Sequence, residues 1–194
     1  MREMVEIKDG RKVVITELRS EDLDELLTFF KALPEADRIF LRMDVTDRAA
    51  VVQRLQESME GKAHRLVARV GQHIVAYGVL EHEGHGWQEH VGELRLIVAR
   101  DYQRAGLGMN LARVLYNLAV KDKVEVIVAR MMAPQTTARR ILERLGFVEE
   151  TVLTDHVRDR RGRKQDQVLM RCDLQTLLQE MQFYFEQSDW QRVR

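Results

Sequence analysis

"YQRAGLG", residues 102–108, decides the fold. Two glycines, Gly106 and Gly108, stand one residue apart, just after Arg104. Before them, "VGELRLIVAR" (91–100) has the β-branched, apolar character of a strand. After them, Leu111, Leu115, Leu118 and Ala119 recur at helical spacing. A glycine-bearing turn between a strand and a helix aims backbone N–H groups, and the positive end of the helix, at one point. That point suits an anion.

The spacing narrows the anion. A Walker A loop needs G-x-x-x-x-G-K-[ST], and neither that spacing nor the lysine is present. A dinucleotide fingerprint needs a third glycine at position 111, which is Leu111. Gln103-Arg104-Ala105-Gly106-Leu107-Gly108 instead matches [QR]-x-x-G-x-[GA]. That pattern resembles the acetyl-CoA pyrophosphate loop of the GNAT superfamily of N-acetyltransferases. Val98 at the strand end and Tyr102 before the loop also match that family segment. Downstream, "APQTTARRILERLGF" (133–147) is similar to the family's second motif, N-x-x-A-x-x-L-Y-x-x-x-G-F, with Ala138, Gly146 and Phe147 in register. "DGRKVVITELRSEDLDELLTFFKALPEADRIFLR" (9–42) further resembles the start of such domains, including those of bacterial protein-lysine acetyltransferases. Two positions depart. The family's asparagine is Gln135, and the tyrosine that often protonates the leaving thiolate is Leu142.

The rest of the chain reads consistently. "RKVVITEL" (11–18) is a strand, and Leu23, Leu26, Leu27 and Phe30 form the stripe of a helix capped by Ser20 and ended by Pro34. A second helix runs from Asp47 to Glu60, with Val51, Leu55 and Met59 on one face and Gly61 as its stop. "AHRLVARV" and "HIVAYGVLEHE" are strands meeting at a Gly71-Gln72 turn. "VEVIVARM" (124–131) is a buried strand, and Ala138, Ile141, Leu142 and Leu145 mark a helix. Two long strands follow, joined at "RRGR" (160–163). The predicted order is β-α-α-β-β-β-α-β-α-β-β-α. It implies an α/β (α+β) fold with a mixed, mostly antiparallel sheet, a central parallel pair and helices on both faces. Residues 1–172 are expected to form the acetyltransferase-like domain. Residues 173–194 are expected to form an amphipathic helix packing on it or on a second copy of the chain, which would make a homodimer.

Composition limits the alternatives. The 194 residues include 31 basic and 31 acidic ones, so the formal charge is zero. A nucleic-acid or membrane-surface binder needs a basic footprint, so neither partner is expected. The N-terminus lacks the apolar stretch of a signal peptide, and no run suits a membrane span. One cysteine, Cys172, allows no intrachain disulfide and fits a reducing cytoplasm. His82, His85 and His90 in "EHEGHGWQEH" (81–90) have no recognised metal-ligand spacing, so no metal is expected. The basic cluster "HVRDRRGRKQD" (156–166) reads as a solvated hairpin.

The resemblance implies direct attack of an amine on the acetyl thioester. An ammonium has no lone pair, so a base must take its proton. Glu93, five residues before Val98, is the candidate, since some family members place a base there. Ile97, Val98, Gln103, Arg104, Ala105, Gly106, Leu107, Gly108, Met109 and Gln135 are the candidate contacts to acetyl-CoA, with the backbone near Val98 serving the acetyl oxygen. The acceptor is a small-molecule amine or a protein lysine. The alternative is an acyl-CoA-binding sensor that has lost catalysis through the Leu142 departure. Tyr102 and Tyr116 read as packing residues rather than replacement acids.

Overall fold

The computed structural model describes residues 1–57, 63–82, 86–177 and 179. Among them a sheet of eight strands runs in the order β1-β2-β3-β4-β5-β6-β8-β7. The strands are β1 (Arg2–Glu6), β2 (Lys12–Glu17), β3 (Ala63–Val70), β4 (His73–His82), β5 (Val91–Val98), β6 (Val126–Met132), β7 (Val148–Arg158) and β8 (Lys164–Asp173). The helices are α1 (Leu23–Ala32), α2 (Glu35–Arg38), α3 (Arg48–Glu57), α4 (Leu107–Lys121) and α5 (Thr136–Arg144). All neighbouring strands are antiparallel except β5 and β6. The expected mixed sheet with a central parallel pair is therefore the one observed.

Alternation along the strands sorts their side chains onto two faces. Leu66, Leu80, Leu94 and Ile127 turn to one face, where they pack with Leu107, Leu111 and Leu115 of α4. There α4 lies close on β4: a Cβ at Gly78 would stand 3.0 Å from the Leu111 and Leu115 side chains. Val67, Tyr77 and Ile97 turn to the other face, against Leu26, Leu27 and Phe30 of α1.

Some local readings were incomplete. The N-terminal strand β1 and the one-turn helix α2 are additional to the predicted order. Ser20 does not cap α1; residues 20–22 form a 3-10 turn first, and Asp22 accepts the Arg19 N–H at 2.9 Å. Helix α3 begins at Arg48, one residue after the expected start, and Asp47 precedes it, accepting the Ala49 N–H at 2.8 Å. The side chains of Leu55 and Met59, the stop at Gly61, His85, and the C-terminal helix from 180 onward lie outside the described residues.

Candidate acetyl-CoA and acceptor site

The parallel pair is short. β5 pairs with β6 only through Val91–Val126, Gly92–Ile127 and Glu93–Val128. β5 then runs on to Val98 and β6 to Met132 without pairing, so the strands open as a V beyond Glu93. At the far end of β5 stands the glycine loop. Arg104 (φ 61°) and Gly106 (φ 85°) both take the left-handed conformation. Alternation between left- and right-handed residues turns successive N–H groups toward one concavity. Gly106 is also the N-cap of α4, whose first N–H groups have no partner within the helix.

The loop is tied down from several sides. The Gln103 Nε2 donates to the Val98 carbonyl at 3.0 Å, joining the loop to the end of β5. The Lys8 N–H donates to the Ala105 carbonyl at 3.0 Å, and a Cβ at Gly106 would lie 3.9 Å from the Lys8 Cγ. Arg11 stacks on Tyr102 at 3.9 Å and donates to the Asp101 carbonyl at 2.7 Å. Ala105 and Leu107 are buried in the core, so only their backbone faces outward, whereas Met109 is exposed on the first turn of α4. Gln135 Oε1 accepts the Met132 N–H at 2.8 Å and holds the end of β6. A backbone concavity, a helix N-terminus and a nearby lysine fit a pyrophosphate.

Glu93 stands where the V begins. It is buried, not a solvated strand residue. Arg42, from the segment between α2 and α3, grips both carboxylate oxygens, one at 2.8 Å. Arg130 Nη1 lies 3.5 Å and Arg95 Nη1 3.9 Å from Glu93 Oε2. Glu81, paired across β4–β5 with Glu93, holds Arg95 in turn. Arg65 extends the group, donating to the Tyr77 hydroxyl at 2.8 Å. No single motif announces this cluster. Its signal in the sequence is charged residues alternating within apolar strands: Arg65, Glu81, Glu93, Arg95 and Arg130.

A cavity of about 240 Å³ is lined by Arg38, Met43, Asp44, Thr46, Arg160 and Arg161 among others. The basic hairpin forms its far wall. Arg160 pairs with Asp44 at 2.5 Å and Arg161 with Glu35 at 2.7 Å, so these cations are engaged within the chain.

Leu142 is buried in the core cluster that holds the α4 side of the sheet. Tyr116 donates its hydroxyl to the Leu145 carbonyl at 2.9 Å, and burial, with Cys172 beside it, pushes its phenol well up. The phenol is therefore protonated near neutral pH and its proton is committed to that carbonyl. Among the described residues no helix is long and apolar enough to cross a membrane.

The sequence profile of the acetyltransferase (GNAT) family matches residues 23–147. A comparison with curated proteins gives no match. Solved structures do match. A ribosomal-protein-alanine N-acetyltransferase from Brucella melitensis is similar at TM-score 0.71 and 24% identity, over 82% of this chain and 98% of that one. The GNAT domain of S. lividans PAT gives TM-score 0.75 at 14% identity, over 89% and 96%. YncA from Salmonella typhimurium, solved with its cofactor acetyl-CoA, gives TM-score 0.71 at 18% identity, over 84% and 94%. These likenesses concern the fold.

Proposed function

Since the chain belongs to the GNAT family of acetyltransferases, we propose a division of labour among its residues in moving an acetyl group from acetyl-CoA to a primary amine. The N–H groups of the Arg104–Gly108 loop and the N-terminus of α4 hold the pyrophosphate, with Lys8 beside it as a second cation. The backbone N–H of Val98, on the edge of β5 that faces β6 beyond the last paired residue, serves the acetyl oxygen as negative charge gathers there. One observation carries the reading: a single slot, the V between β5 and β6, leads from an anion-binding helix N-terminus to a buried carboxylate.

Glu93 takes the acceptor's proton. Arg42 is half-exposed while Glu93 is buried, so Arg42 is the partner that an incoming amine displaces. Arg95 and Arg130 remain. Their positive charge disfavours an ammonium beside Glu93, so the acceptor loses its proton more readily. The acceptor enters between the Pro34–Thr46 segment and the β7–β8 turn, through the cavity lined by Asp44 and Arg160. A small-molecule amine and a protein amine both fit that entry. The family assignment favours catalysis over a sensor. The lone thiol, Cys172, is buried, which suits a cytoplasmic setting.

The test is thiol release from acetyl-CoA with a panel of amines, for wild type and Gly106→Val. A branched side chain at φ 85° costs about 1–2 kcal/mol and distorts the loop. Nothing but the flexible Lys8 lies within 4 Å of the new Cβ, so the fold survives. The expected result is amine-dependent thiol release by wild type, and CoA binding lost in the variant. Wild-type CoA affinity in Gly106→Val would overturn the loop assignment.

A further inference from the structure

Three side chains far apart in sequence converge at the opposite end of α4 from the glycine loop. His64 lies on β3 and His82 on β4, both turned to the α4 face of the sheet. Asp122 is the residue that caps the C-terminus of α4. Asp122 Oδ2 stands 2.5 Å from His64 Nε2 and 2.9 Å from His82 Nε2. The three ligand atoms all lie within 4.8 Å of one another. Each side chain is under a third exposed, so water reaches the group without surrounding it.

From this geometry we infer that His64, His82 and Asp122 form a binding site for a divalent first-row transition ion, of the zinc class. Two imidazoles and one carboxylate are the donor set such ions take, and hard cations such as Mg²⁺ and Ca²⁺ prefer all-oxygen sets. Zinc held at ~2.0–2.1 Å from each of three ligands needs their donor atoms roughly 3.3 Å apart. Small side-chain rotations from 2.5 and 2.9 Å supply that opening. The remaining coordination positions face solvent and would take water.

A second observation points to a cation. Asp122 sits at the negative end of the α4 macrodipole, an unfavourable place for a carboxylate unless positive charge joins it. A divalent ion supplies that charge, with the imidazoles as neutral ligands. His82 follows Glu81, which pairs across the strands with Glu93, and successive residues face opposite ways. The site therefore lies on the other face of the sheet from Glu93. It pins β3, β4 and the end of α4 together and takes no part in acetyl transfer.

The test uses tag-free protein and Zn²⁺ in competition with a chromophoric chelator near neutral pH. The expected result is one Zn²⁺ bound per chain, with affinity falling at least about tenfold in His64→Gln, His82→Gln and Asp122→Asn. His73→Gln, which alters an exposed histidine paired only with Glu25 in this region, is expected to bind as wild type does. Co²⁺ in place of Zn²⁺ is expected to give visible ligand-field bands that those three variants lose. Circular-dichroism melts without metal check that each variant is folded. Wild-type protein that binds no Zn²⁺, or folded variants that bind it unchanged, would overturn the site.

Discussion

Leu142 illustrates how a family register misleads about a single side chain. The motif alignment puts it where a catalytic tyrosine often stands, yet its side chain belongs to the core with Leu145 and Phe147. Leu142→Tyr is therefore expected to overpack that core and cost ~1–3 kcal/mol, read as a lower melting temperature without faster turnover. A stable variant with raised kcat would mean that the phenol reaches the thiol after all. Glu93 poses the converse question, since its burial among arginines serves packing and chemistry alike. Glu93→Gln keeps the volume and an acceptor oxygen for Arg42, but an amide cannot take a proton. General-base catalysis is typically worth ~10²–10⁴-fold. We expect kcat near neutral pH to fall about 10²-fold with CoA affinity unchanged. The deficit is expected to shrink as pH rises toward the acceptor's own pKa, where the amine arrives already neutral. A deficit constant across pH would make Glu93 a positioning residue.

At the scale of elements, the β7–β8 turn is held by one buried carboxylate. Asp159 accepts from the Arg161 and Arg163 N–H groups, at 2.9 and 3.0 Å, and from the Arg163 and Gln165 side chains. Burial raises the Asp159 pKa, but these hydrogen bonds outweigh it and leave it lowered. A depressed folded-state pKa contributes stability above the ordinary carboxylate range, near pH ~4, and that stability is lost as pH falls through the lowered value. Asp159→Asn is expected to melt below wild type at neutral pH, with the gap closing under acid. The same turn carries Arg160 and Arg161 to the acceptor entrance, so KM for the amine is expected to rise while CoA affinity holds. Equal melting temperatures at neutral pH would show that the turn forms without the carboxylate. The hairpin, the glycine loop and the α1 stripe were legible in the sequence because each follows from local period or turn chemistry. The Arg42–Glu93 and Asp122–His64 contacts were not, since they join residues 51 and 58 positions apart. Only the packing of a loop and of a helix end against the sheet brings such residues together, and no local pattern encodes it.

For the whole molecule, the question is where the folding unit ends. Sequence periodicity separates residues 173–194 as an appended helix, yet the first turn of that segment is built into the domain. The Leu174 N–H donates to the Glu125 carbonyl at 2.9 Å, and its side chain is 2% exposed among the core residues. Leu177 packs over Gly146: a Cβ there would stand 2.8 Å from the Leu177 Cδ1. Gly146 has φ 87°, the left-handed turn that ends α5, so glycine meets a conformational and a spatial demand at once. Cutting the chain after Asp173 removes both leucines and opens Cys172 and Phe147 to water. Burying one leucine side chain is worth ~1.5–3 kcal/mol, and Leu177 adds a smaller share. In a chain of this size each kcal/mol moves the melting temperature by about 2–4 °C. Truncation after Asp173 is therefore expected to lower it by roughly 5–10 °C, with the sheet retained by far-ultraviolet circular dichroism. The double substitution Leu174→Ala, Leu177→Ala in the full chain is expected to reproduce most of that loss. If the truncated protein melts with the full chain, the contacts of Leu174 and Leu177 contribute nothing, and the domain closes at the end of β8. If the truncation is far more costly than the double substitution, residues beyond Leu177 also hold the domain together.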